Sequence, residues 1–321
     1  MPWPHKAQEA RGLSQDWLAS FPSVEKNVRI LVLRGGAIGD FLVTLPALRL
    51  LRERWPDARI ELAGHAGAGA LGVRAGLLDA VHSQHEARWS ALFSASTLPA
   101  EFAAWLGNFD LVLNYWPDPD GTLARRFPLR PGQQFLAAPA QPALAPAARH
   151  FCEPLRALGL STSDFRSRLR LPSARDLGPS TSDFGPQIAV HPGSGSSRKN
   201  WPLANWTELC ARLPGPLLIV GGEADTAAVA PLARFGRTAL NLPLPELAVA
   251  LSRCRLFLGH DSGISHLAAA VGTPCVLQFG PTDPAMWAPP GDHVHVLRHG
   301  PSLEEISVAD VLAAIGRIAR P

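Results

Sequence analysis

Two successive series of short apolar runs, each run followed by helical spacing, constrain this chain more than any other feature. In the first, "RILVL" precedes "FLVTLPALRLLRERW", "ARIELAG" precedes "GALGVRAGLL", and "LPAEFAAWLGN" leads into "FDLVLNYW". The second runs "QIAVHPG", "WTELCARL", "PLLIVGG", "TAAVAPLARF", "PELAVALSRC", "RLFLGHDSG", "ISHLAAAVG" and "PCVLQFG". Strands that are apolar throughout, rather than alternating, must be covered on both faces. Short strands separated by helices therefore predict parallel sheets with helical crossovers. We expect an α/β chain of two Rossmann-like units facing one another across a cleft.

Between the series lies "STSDFRSRLRLPSARDLGPSTSDFGPQ", rich in Ser, Pro and Arg, in which "STSDF" occurs twice without surrounding periodicity. The expected organisation is a tail over residues 1–27, a first unit over 28–165 and a linker over 166–186. A second unit then covers 187–300 and a closing segment 301–321. In that last segment "SLEEISVADVLAAIGRIA" predicts a capped amphipathic helix starting near Ser302.

Composition narrows the function. A net charge of +3 over 321 residues does not call for nucleic acid, and it is compatible with an acidic ligand or an anionic membrane surface. Cys152, Cys210, Cys254 and Cys275 are scattered in apolar settings without metal-ligand spacing and read as buried free thiols. The first 27 residues lack the apolar core of a signal peptide, and no run of about 18 apolar residues occurs, so the expected location is the cytoplasm. Of 30 basic residues only Lys6, Lys26 and Lys199 are lysines.

Five loops follow strands and carry candidate chemistry. "RGGAIGD" has the strand–glycine–helix order of a dinucleotide loop, but Arg34 occupies the place of the first glycine and Gly35, Gly36 and Gly39 are misplaced for G-x-G-x-x-G. No carboxylate closes the second strand, so a nicotinamide or flavin is not expected. Asp40 reads either as a helix cap or as a reacting group. "HPGSGSSRKNWP" offers Ser196, Arg198 and Lys199 to an anionic phosphate. "GHDSGISH" aims a helix N-terminus and Asp261, Ser262, Gly263 and His266 at the same cleft. Glu223 in "VGGEAD" is placed to take ribose hydroxyls, or is a turn residue. Thr282 and Asp283 in "FGPTDPAMW" are placed to close over a nucleotide, or form an ordered turn.

The stretches "ILVLRGGAIGDFLVTLPALRLLRERWPDARI", "HPGSGSSRKNWPLANW" and "DSGISHLAAAVGTPCVLQFGPTDPAMWAPPG" resemble, in order and spacing, glycosyltransferase family 9, the heptosyltransferases and their relatives. The resemblance spans roughly Val28 to Ala319. It implies a GT-B fold: an acceptor lobe, a nucleotide-sugar lobe, and a closing helix that packs back on the N-terminal lobe. It further implies inverting transfer of a sugar, most plainly heptose from an ADP-sugar, to a lipopolysaccharide-core or related surface-glycan acceptor, with no metal and no cofactor. A non-catalytic nucleotide-sugar binder on the same fold, or a transferase using another nucleotide sugar, stands beside it. The expected partners are a nucleotide sugar and a glycolipid or oligosaccharide, with peripheral contact at the inner face of the cytoplasmic membrane and no nucleic acid.

By motif position Asp40 resembles the general base. Ser196, Lys199, Ser262, Gly263 and His266 resemble diphosphate contacts, and Asp261 and Glu223 sugar and ribose contacts. Thr282 and Asp283 belong to the closing loop, and Arg34, Gly35 and Gly36 lie on the acceptor side. The chain departs from the family in having Gly35 and Gly36 where serines or threonines are frequent. Over His65–Pro146 it lacks lysines, leaving Arg88, Arg125, Arg126 and Arg130 as substitutes toward a phosphorylated acceptor.

Overall fold

The computed structural model describes residues 28–94, 97–171 and 187–318. The expected tail, most of the linker with the second "STSDF", and the last three residues lie outside the described residues. The first apolar series supplies β1 (Arg29–Arg34), β2 (Arg59–Gly64) and β4 (Leu111–Asn114), and with β3 (Ala80–Ser83) and β5 (Gln134–Ala137), which the series does not show, they form one parallel sheet in the order β3-β2-β1-β4-β5. The second gives β6 (Ile188–Val190), β7 (Leu217–Gly221), β8 (Gly236–Leu240), β9 (Leu256–His260), β10 (Cys275–Gln278) and β11 (Val294–Leu297), also parallel, in the order β11-β10-β9-β6-β7-β8. The central strands are buried along nearly their whole length, which is why they read as continuous apolar runs. In each sheet the winding direction reverses once, between β1 and β4 and between β6 and β9. Loops at the carboxyl ends part there and open a crevice.

The expected helix over Phe41–Trp55 is two helices, Ile38–Leu42 and Leu45–Arg54, broken where Thr44 Oγ1 donates to Phe41 O at 2.5 Å and Pro46 enters the first turn. Proline lacks the N–H that an uninterrupted helix would need, and is accommodated at a helix start. The lobes meet along one apolar seam. Helix Ile38–Leu42 packs on helix Gly263–Ala270, and helix Ala66–Arg74 on helix Leu244–Ser252, within a core that runs across both lobes. At the closest point a Cβ on Gly263 would stand 2.9 Å from Gly39 N, so two glycines let the helices touch backbone to backbone.

The closing segment differs from expectation in two ways. Ser302 caps only a single turn, Leu303–Glu305, and the helix proper is Val308–Ile318, with Asp310 Oδ2 accepting from Ser307 N and Oγ. Nor does this helix pack on the N-terminal lobe. Its buried Val308, Val311 and Ala314 join Trp201, Trp206 and Leu209 in the second lobe, and Trp201 Nε1 pins the preceding turn by donating to Ile306 O at 2.8 Å. The four cysteines are buried and free. Burial pushes the thiols of Cys152, Cys210 and Cys254 up to about 12.

Candidate active site

The β1 loop turns through Gly36 at φ +102°, a conformation that side chains resist, and a Cβ there would lie 2.5 Å from Asp40 Oδ2. The turn therefore needs glycine twice over, for its dihedral and for the carboxylate folded against it. Asp40 Oδ2 accepts from Ala37 N at 2.9 Å, while Oδ1 accepts from the Arg34 guanidinium at 2.9 Å. Arg34, predicted on the acceptor side, is a buried partner of Asp40. Its Nε donates to Asp40 O at 3.0 Å and its guanidinium lies 4.3 Å over the Phe151 ring. Burial draws Arg34 below its ordinary pKa, the attraction of Asp40 opposing it. Asp40 itself keeps 36 % of its side chain exposed, enough to meet a ligand.

Across the seam, β9 ends in His260 and Asp261, and Ser262 caps helix Gly263–Ala270 by accepting from Ser265 N at 3.2 Å. The first turn of such a helix carries N–H groups without helical partners and the positive end of its dipole. Asp261 Oδ2 accepts from Lys199 Nζ at 2.7 Å and Thr282 Oγ1 at 2.8 Å, so three predicted residues from three loops converge on one oxygen. Ser196 opens the turn Ser197–Lys199, and Ser194 Oγ closes it against Asn200 Oδ1 at 2.7 Å. His266 is buried beside both lobes' carboxylates. Burial lowers its pKa, Asp261 and Asp40 oppose the shift, and Lys199 adds to it. Its ring also lies against the β1 loop, 3.8 Å from the position a Gly39 Cβ would take.

Two predicted residues stand apart. Glu223 is exposed, and it is Asp225 that turns inward, its Oδ2 accepting from Gly222 N at 2.8 Å and facing His191 Nε2 at 3.3 Å. Asp283 is exposed and caps helix Pro284–Trp287 through Ala285 N at 3.0 Å. Sequence reasoning passed over Asp225, His191 and His260. His191 Nδ1 lies 3.3 Å from Ser262 Oγ, which ties the β6 loop to the helix cap. His260 Nε2 accepts from Trp201 N at 2.9 Å and Trp206 Nε1 at 3.2 Å, and burial takes its pKa down to about 3. "HPG" and "LGHD" sit at strand ends, which was the available signal.

Three of the arginines expected to replace lysines have local partners. Arg88 lies between the rings of Trp89 and Trp105, at 4.7 and 4.6 Å, and donates to His82 Nδ1 at 2.9 Å. Arg125 donates to Asp120 O at 2.6 Å, and Arg130 to Asn108 Oδ1 at 3.2 Å. Among the described residues no cluster of His, Cys, Asp and Glu is arranged to hold a metal.

Residues 144–311, which carry the Lys199, Asp261 and Thr282 loops, match the family model described as glycosyltransferase family 9 (heptosyltransferase). The chain belongs to glycosyltransferase family 9. Lipopolysaccharide heptosyltransferase 1 of Salmonella typhimurium is 23% identical over 292 residues, covering 81% of this chain and 90% of that relative. Lipopolysaccharide heptosyltransferase 3 of Escherichia coli is 35% identical over 93 residues, spanning 24% of this chain and 27% of that relative.

The fold is shared with solved family 9 structures. The Veillonella parvula family 9 enzyme has a TM-score of 0.72 at 21% identity, covering 92% of this chain and 99% of that one. Escherichia coli heptosyltransferase WaaC with ADP-2-deoxy-2-fluoro heptose has 0.71 at 20%, covering 91% and 100%. The two-sheet architecture is accordingly GT-B, and the chain is a heptosyltransferase-like glycosyltransferase.

Proposed function

We propose that this family 9 chain moves heptose from ADP-heptose, with inversion, onto a hydroxyl of a lipopolysaccharide-core or related surface-glycan acceptor. The observation that carries the reading is the approach of the two loops across the glycine seam, Gly39 of the Asp40 loop against Gly263, next to an Asp261 that holds Lys199 and Thr282. A base and a cradle for a leaving group belong on opposite sides of a reacting carbon, and here they come from opposite lobes.

In this reaction the acceptor O–H proton passes to Asp40 as the new C1–O bond forms and the C1–O bond to the diphosphate breaks, through an oxocarbenium-like state. Arg34 and Ala37 N hold the Asp40 carboxylate toward the crevice. Charge gathering on the departing diphosphate is met by Lys199 and by the N-terminus of helix Gly263–Ala270, whose preset dipoles need no reorganisation. That distribution of charge assigns no step to a metal or cofactor. Ser196, Ser262 and Gly263 line the diphosphate, His266 lies beneath it, Asp261 meets the sugar, and Thr282 and Asp283 belong to the loop that closes over them.

We further propose that the enzyme works at the inner face of the cytoplasmic membrane, reaching its glycolipid peripherally. Relatives named as lipopolysaccharide heptosyltransferases support this, and no helix among the described residues is long and apolar enough to cross a membrane. A thermal-shift series with ADP-, UDP- and GDP-sugars tests the donor. Stabilisation of at least about 2.7 kcal/mol by ADP-heptose at a hundred times its Kd is expected. Equal stabilisation by UDP- or GDP-sugars, or none by any, contradicts the donor assignment.

A further inference from the structure

The N-terminal sheet reverses its winding between β1 and β4, the place in such sheets where loops part to admit a ligand. Trp116 lies there, two residues beyond β4, its ring only 7% exposed and packed edge-on against Trp89 with centroids 5.3 Å apart. Its indole N–H reaches the β1 loop, where Nε1 lies 3.2 Å from the position a Gly35 Cβ would take. That N–H has no hydrogen-bond partner among the described residues. Other buried tryptophans use theirs: Trp89 Nε1 donates to Ser83 O at 2.8 Å, Trp201 Nε1 to Ile306 O at 2.8 Å, and Trp206 Nε1 to His260 at 3.2 Å. The atom is not sealed from solvent, so this N–H is free to donate to a ligand that lies against the β1 loop.

A second observation is independent of the first. Phe93 is 47% exposed and lies tilted over Trp116, at 6.3 Å and 32°. Among the described large apolar side chains that are exposed it is the one aromatic. Gln84 completes the surface, its Oε1 accepting from Gly36 N at 3.0 Å and its Nε2 donating to Gly36 O at 3.3 Å. Gly36 in turn touches the Asp40 carboxylate. A phenyl face, an indole N–H and an amide therefore form one wall that ends at the reacting group.

No formal charge faces this wall from its own residues, and the nearby Arg88 is turned away between two tryptophans. The chemistry matches an uncharged ring that is apolar on one face and carries hydroxyls at its edge. We infer that Phe93, Trp116 and Gln84 form the acceptor subsite for a neutral sugar ring. Phe93 stacks on the ring's apolar face and Trp116 Nε1 donates to a ring hydroxyl, which places a neighbouring hydroxyl at Asp40. The inference rests on the reading of Asp40 as the acceptor-side base.

The test separates the two claims by titrating two ligands into the full-length protein in a calorimeter. One is ADP. The other is a neutral, phosphate-free heptose oligosaccharide, added with ADP present. Phe93→Ala should weaken the oligosaccharide about tenfold and leave ADP within about twofold, and Phe93→Trp should restore the wild-type value. Trp116→Phe, which keeps a ring and removes the donor, should weaken the oligosaccharide about fivefold. Equal oligosaccharide affinity in wild type and Phe93→Ala, or no oligosaccharide binding where ADP binds, overturns the subsite. Oligosaccharide binding that depends on Phe93 in a protein that ignores ADP keeps the subsite and removes the donor reading.

Discussion

Gly36 is the most exacting single position in the β1 loop, because its φ of +102° and its contact with Asp40 both forbid a side chain. Gly36→Ala should cost at least about 1 kcal/mol in stability. By displacing the carboxylate it should also lower kcat about tenfold or more while ADP affinity holds. Steady-state kinetics beside ADP calorimetry checks this, and an unchanged kcat would mean that Asp40 need not sit where the turn holds it. In the facing lobe, Lys199→Ala removes a cation held 2.7 Å from Asp261. Loss of a hydrogen bond to a charged group is worth about 1.5–3 kcal/mol, so ADP affinity should fall about tenfold to a hundredfold. Undiminished ADP binding would place the diphosphate elsewhere.

At the scale of elements, the Gly39–Gly263 contact governs how the two lobes meet. Gly263→Ala puts a methyl 2.9 Å from Gly39 N, an overpacking that should cost about 1–3 kcal/mol and lower Tm. An unchanged Tm would show that the helices stand apart in solution. The central strands and the glycine turn were legible in the sequence because they are buried on both faces and carry unmistakable punctuation. The edge strands β3 and β8 were not. Every residue of β3 is only partly buried, and in β8 Ala239 alone is fully buried, so neither shows an apolar run.

The site was legible to the same depth. Lys199, Asp261 and Ser262 announced themselves by residue type at strand ends. Asp225 was hidden beside the more conspicuous Glu223, since only the turn decides which carboxylate faces inward. The role of Arg34 depended on Phe151, 117 positions away, and no local pattern reports that. The closing helix went to the unexpected lobe because its apolar stripe is complementary to Trp206 and Leu209, a match visible only once both helices are folded.

For the whole molecule, buried histidine sets how stability responds to acid. His260 falls from an ordinary 6.5 to about 3, chiefly through burial and also through His191. The unfolded chain therefore takes up a proton at a higher pH than the folded one. The contribution is complete above about pH 6.5 and is lost progressively as pH falls toward 3. Burial would raise the Glu61 carboxyl, but His82, Arg59 and Arg29 outweigh it and bring it to about 2, which adds a second loss between about pH 4.5 and 2. Tm should be flat from pH 8 to 7 and decline from 6.5 to 5, and a flat Tm across that lower interval would contradict the burial of His260.

The central claim, that two lobes bring one base to one nucleotide-diphosphate cradle, is tested most directly by Asp40→Asn in a transfer assay with ADP-heptose. The substitution keeps the side chain's size and removes its basicity. Folding and ADP affinity should match wild type while transfer falls at least about a hundredfold. An Asp40→Asn protein that binds ADP and retains full transfer would contradict the account.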